Sequence, residues 1–170
     1  MILMLVLVVA YALVRVLPGG RRWGERDRWR VALGTGMVTA GIAHLLNPVP
    51  FVQHLPPAVP RREELVLLTG LIEIAFGPAL WFTRGPARRL VGWALGGYLV
   101  AVFPGNVYVA VAGVEVEGQP GGIYDWLRLP LQAVLVWLAL WGTGAVGRLP
   151  ALAAQPGTVH PSEVGTSPQS

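Results

Sequence analysis

The sequence predicts an all-α fold, a polytopic transmembrane helical bundle, and three observations carry that prediction. Hydrophobic residues make up 54% of the 170 residues and charged ones only 13%, where a soluble domain carries about a quarter. Five apolar stretches approach or meet the spanning length of about 20 residues. The charges between them alternate in sign bias from one connection to the next. Mean hydropathy is +0.55, which argues against a soluble enzyme and against a disordered chain. With no cysteine, the chain is not a disulfide scaffold and has neither thiol redox chemistry nor a cysteine metal site.

The first stretch is 1–17, interrupted only by Arg15. It is expected to be a retained N-terminal helix, not a cleaved signal. Nothing basic precedes its apolar core, and Pro18-Gly19-Gly20-Arg21-Arg22 follows instead of a small-residue cleavage site. The second stretch, 31–46, is short. The third, 65–82, has one acid, Glu73, at its middle. The fourth, 90–112, is expected to break at Pro104. The fifth is 129–147. In lipid every backbone polar group must be satisfied internally, so these are helices. Their apolar runs do not alternate with period two, which excludes a barrel. The tail, 151–170, is rich in Pro, Gly, Ser and Thr and is expected to be a disordered cytoplasmic segment.

Orientation follows from arginine, the only basic residue type besides three histidines. Arg21, Arg22, Arg26, Arg28 and Arg30 follow the first stretch, Arg84, Arg88 and Arg89 follow the third, and Arg148 follows the fifth. The other two connections hold Arg61 and Arg62, next to Glu63 and Glu64, and otherwise acids such as Glu115, Glu117 and Asp125. Cytoplasmic loops carry the positive excess, so the N-terminus is expected outside and the C-terminus in the cytoplasm of a multi-pass protein in the cell membrane. The pI near 10.3 is thus a topology signal, and no nucleic-acid partner is implied. Trp29, Trp81, Trp93 and Trp126 sit near span ends, where amphipathic rings anchor.

No Walker A run, GxGxxG element, HExxH or GxSxG motif occurs. The candidate site rests on polar residues inside apolar spans, which are costly there and mark function or a specific pairing. Glu73 lies about 12 Å below the outer boundary, at 1.5 Å per residue. Gly70 and Gly77 share its helix face and admit a close neighbour. Glu73 is either a proton-handling or ligand-anchoring carboxyl or a structural acid locking two helices. Arg128, with Gln132 one turn deeper, is its expected counter-charge if the guanidinium turns inward, and an interfacial arginine if it snorkels. His44 ends the second span above Gly36 and Ala40. It is a proton or ligand contact or a hydrogen-bonded helix end, and no metal site is expected. Asn106, just past Pro104, completes a set of His44, Glu73, Asn106, Arg128 and Gln132 in the outer half of the bundle. That set implies a polar cavity open to the outside. The proline-rich connection 47–60 is either a flap over it or a rigid connector.

Several of these residues fall in longer motifs. Gly41-Ile42-Ala43-His44, Pro48, Phe51, Pro56-Pro57 and Pro60 form one. Thr69-Gly70-Leu71-Ile72-Glu73-Ile74 with Gly77, and Thr83-Arg84 with Ala87-Arg88-Arg89, form two more. Val102-Phe103-Pro104-Gly105-Asn106-Val107-Tyr108 and Leu127-Arg128-Leu129-Pro130-Leu131-Gln132 complete the set. In this order, over 31–142, they resemble the DoxX-like family of integral membrane proteins. Relatives there often carry Pro-Ala-Asn where this chain has Pro104-Gly105-Asn106. The resemblance implies a four-helix core over 31–147 plus an added N-terminal span. It also points to an accessory or anchor subunit of a quinone-linked redox system, with a redox partner protein and no catalysis by this chain alone; it leaves the cofactor open, with quinone as the candidate. It brings no agreed catalytic residues. Two other functions fit the residues: a small-molecule or lipid carrier gripping a polar head, and a structural or assembly protein without chemistry.

Overall fold

In the computed structural model, which describes residues 2–146, the apolar stretches are helices. The end of the fifth stretch at 147, Arg148 and the tail 151–170 lie outside the described residues. The elements are α1 (Ile2–Val16), a 3-10 turn (Gly20–Arg22), α2 (Glu25–Leu46), α3 (Val49–Val52), α4 (Arg62–Phe82), α5 (Gly85–Ala112) and α6 (Ile123–Thr143). No strand occurs among the described residues. Helices α4, α5 and α6 are long and apolar enough to cross a membrane, while α1 is a shorter apolar helix. The sequence expects α2 to span as well. It is 22 residues long, but Glu25, Arg26, Asp27, Arg28 and Arg30 fill its first turns. Only its second half is apolar.

Helices start earlier than the apolar runs. The run at 90 becomes a helix from Gly85, and the run at 129 becomes one from Ile123. Apolarity marks what lipid accepts, whereas a helix continues through charged residues until a cap stops it. Nor does α5 break at Pro104. It runs unbroken for 28 residues. Proline's fixed φ is compatible with a helix, but it removes one N–H and crowds the carbonyl four residues back, a cost the surrounding packing must carry. Gln132 Nε2 donates to the Leu99 carbonyl at 2.7 Å, next to Val100, whose carbonyl loses its Pro104 donor.

Two antiparallel helix pairs organise the bundle, α2 on α4 and α5 on α6, with α1 and α6 also packed against α2. Glycine sets the first pair. A side chain at Gly41 would strike the Gly70 carbonyl and come 2.7 Å from Ile74 Cγ1. One at Gly77 would strike Val38 and come 3.1 Å from the Gly34 carbonyl. The two backbones therefore approach closely at Gly41–Gly70 and again at Gly34–Gly77, one heptad apart on each helix. Similarly, Gly92 admits Thr143 and Gly96 admits Leu140. Leu33, Leu80, Leu95 and Ala139 form the centre of the core and are almost fully buried. Outward-facing Leu68, Leu71, Leu90, Trp93, Val100 and Val111 are each more than half exposed, an apolar surface suited to bilayer contact.

Helix ends at the arginine-bearing side are tied together. Arg30 donates to the Leu80 carbonyl and, at 3.3 Å, to that of Trp81, satisfying the last turn of α4 with a cation at its negative end. Trp81 Nε1 donates to the Val31 carbonyl at 3.2 Å. Tyr11 stacks on Trp29 at 4.3 Å and donates to Glu25 at 2.6 Å, fastening α1 to α2.

Candidate functional site, a buried carboxyl, imidazole and phenol

Glu73 sits halfway along α4 and is 8% exposed. The Tyr98 hydroxyl, halfway along α5, donates to its Oε1 at 2.7 Å. Its Oε2 is buried without a hydrogen-bond partner and faces His44 Nε2 at 3.8 Å. His44 reaches this point because Gly70 leaves room for it: a Cβ there would come 2.7 Å from His44 Cβ. The other imidazole nitrogen, Nδ1, lies 3.3 Å from the Val66 carbonyl and 3.3 Å from Thr69 Oγ1. When Nδ1–H donates to that carbonyl, Nε2 presents its lone pair towards Glu73. One proton shared between Oε2 and Nε2 leaves the pair without net buried charge, the arrangement a low-dielectric site requires.

The 47–60 connection lies over this group. Phe51 of α3 packs against the His44 ring, tilted by 53° with centroids 3.8 Å apart. The His54 carbonyl packs on Gly105 of α5, where a Cβ would come within 3.1 Å of it. Gln53 Oε1 accepts from the Glu117 N–H at 2.8 Å. His54 Nδ1–H donates to the Pro50 carbonyl at 2.7 Å, which leaves Nε2 buried and unpartnered. Burial holds the His54 imidazole below its ordinary value; the Pro50 carbonyl opposes this, and nearby Arg128 adds to it.

The structure sorts the sequence-derived candidates. His44 and Glu73 come together. Arg128 does not reach Glu73: it donates to Gln119 Oε1 and lies 3.7 Å from Asp125 Oδ1, one turn back on α6. The shorter route wins, because Asp125 shares its helix face and is buried. Gln132 braces α5 against α6 through Leu99 instead of bridging to Glu73. Asn106 is half-buried in α5, beside the Gly105–His54 contact. Sequence reasoning missed Tyr98, Thr69 and Asp125. Tyr98 was legible as a hydroxyl in mid-span; Asp125 reads as a loop acid until α6 is seen to begin at Ile123. A cleft is found at the opposite end, among the first turns of α2 and α5 and the last turn of α6. Among the described residues no group of three or more His, Asp or Glu is placed to hold a metal.

Fold and site together define a helical membrane-type bundle with a buried carboxyl–imidazole–phenol group. The chain belongs to the family described as Domain of unknown function (DUF8561), whose model matches residues 33–143, from α2 to the end of α6. No curated protein and no solved structure matches it.

Proposed function

We propose that this protein is an accessory membrane subunit of a quinone-linked redox system, with His44, Glu73 and Tyr98 as its proton-exchanging site. The observation that carries this reading is Glu73 Oε2, buried without a hydrogen-bond partner against His44 Nε2 at 3.8 Å. A carboxyl and an imidazole can hold one proton between them without net buried charge, and the pair stays neutral on passing that proton to a bound acceptor when another proton replaces it. The donor set suits a quinone head: a protonated Glu73 or His44 can donate to a carbonyl oxygen, while the Tyr98 hydroxyl holds Glu73 in place through Oε1. A quinone, when bound, supplies electron acceptance; the electrons come from a partner oxidoreductase, since this chain has no cysteine and no flavin motif. Phe51 and the 47–60 segment keep bulk water from the pair.

Purification from native membranes in mild detergent, with mass spectrometry of proteins and extracted small molecules, tests this. The expected result is a stoichiometric oxidoreductase or quinone that is lost in Glu73→Gln. Bare protein in the wild type overturns the reading. A helix-lock role has one observation in its favour, the glycine packing of α2 on α4 immediately around His44. Under that role Glu73→Gln lowers the melting temperature and leaves ligand and partner retention unchanged.

A further inference from the structure

Away from the Glu73 site, the arginine-bearing end of the bundle holds a cleft of about 490 Å³. Its walls are the first turns of α2 and α5 and the last turn of α6, and Arg26, Arg88 and Arg89 line it beside Glu25 and Asp27. The two carboxylates are already occupied. Glu25 accepts from Tyr11 at 2.6 Å and from Arg28 at 2.5 Å. Asp27 accepts from Arg30 at 2.9 Å, with Arg88 Nη1 3.7 Å away. The carbonyls ending α6 are taken up too: Gly144 N–H donates to Trp141 at 3.1 Å and Ala145 N–H to Leu140 at 2.9 Å. What stays available is cationic. Arg89 is exposed at the cleft, and Arg88, partly exposed and 3.7 Å from Asp27 through Nη1, lines it with a guanidinium whose Nε is turned into the fold. The first turn of α5 contains no acid, and no side chain caps it. Its free N–H groups and positive dipole end therefore add to the two guanidinium groups.

We infer that this cleft binds a phosphate group, held by Arg88 and Arg89 at the start of α5, and that an anionic membrane lipid provides it. Guanidinium forks match phosphate oxygens in pairs. The surroundings favour a lipid over a free anion: Leu90, next to Arg89, is 70% exposed, and Trp93, one turn further on the same face, is 56% exposed. An acyl chain descending from the cleft would run along that apolar face. The arginine-rich end is also the one that the charge rule assigns to the anionic cytoplasmic leaflet.

Native mass spectrometry of the full chain in detergent tests this, with phosphatidylglycerol, phosphatidylcholine and inorganic phosphate as probes. Phosphatidylglycerol should be retained over phosphatidylcholine, and both Arg88→Gln and Arg89→Gln should weaken retention by about tenfold. Arg61→Asn, which removes one charge at the opposite end, should leave it unchanged. Millimolar inorganic phosphate that displaces the lipid only in proteins with Arg88 and Arg89 intact supports the phosphate chemistry, and retention of inorganic phosphate without lipid preference assigns a soluble source. Equal retention of the two lipids without phosphate binding overturns the inference, as does retention indifferent to both variants. Should Arg88→Gln lose its monodisperse profile, the exposed Arg89→Gln decides alone.

Discussion

Tyr98 and His54 make the sharpest claims at the level of single residues. Removing the Tyr98 hydroxyl leaves both Glu73 oxygens without a donor. Hydrogen bonds between membrane helices average about 0.6 kcal/mol and reach about 1.7. Tyr98→Phe should fall towards the upper value, because the carboxyl it abandons is buried. Thermal unfolding in detergent measures it, and an unchanged midpoint would sink the assignment. His54 makes a claim about pH. Its imidazole is held below the ordinary value of 6.5 mainly by burial. The unfolded chain therefore binds the proton more readily than the folded one. His54 contributes stability that is fully present above about 6.5 and is lost as pH falls towards its folded value. Acidification from neutrality should lower the melting temperature, and His54→Gln should flatten that slope. Both side chains were visible as letters in the sequence. Their partners were not, since Tyr98 and Glu73 are separated by 25 positions and sit on different helices.

Among the elements, the α2–α4 pair fixes where the chemistry can occur. Gly70 is the pivot, because a methyl group there meets His44 Cβ at 2.7 Å and the Gly41 carbonyl at 3.1 Å. Neither a helix backbone nor the base of a side chain can yield cheaply, so Gly70→Ala should cost about 1–3 kcal/mol. Gly97 on α5 has nothing within 4 Å of the same position. Gly97→Ala should be neutral or gain about 0.5–1 kcal/mol from helix propensity. Equal melting temperatures for the two variants would contradict the close approach. Gly70 and Gly77 pointed to such a contact from spacing alone. The partner glycines did not: nothing in the sequence singled out Gly34 and Gly41 as the pair that makes the approach. Helix faces are readable from one sequence, but which two faces meet depends on the register between helices.

For the whole molecule, contacts place 24, 85 and 144 at one end and 53, 105 and 117 at the other. Arginine asymmetry predicts that the first end faces the cytoplasm. The absence of native cysteine makes the test clean. Trp23→Cys and Ala87→Cys should react with a membrane-impermeant maleimide only after the membrane is opened, and Val59→Cys and Gln119→Cys should react in intact cells. Trp23→Cys labelling from outside would mean that α1 and α2 do not both cross. By itself the sequence determined the all-helical class, the apolar surface, the unequal share of arginine between the two ends and the presence of a costly acid at mid-span. These follow from what lipid tolerates residue by residue. Tertiary structure alone decided that Glu73 meets His44 and Tyr98 while Arg128 turns to Asp125 and Gln119. A buried charge takes the nearest partner that packing allows, and packing here is set by glycines on two helices whose relative register no local pattern encodes.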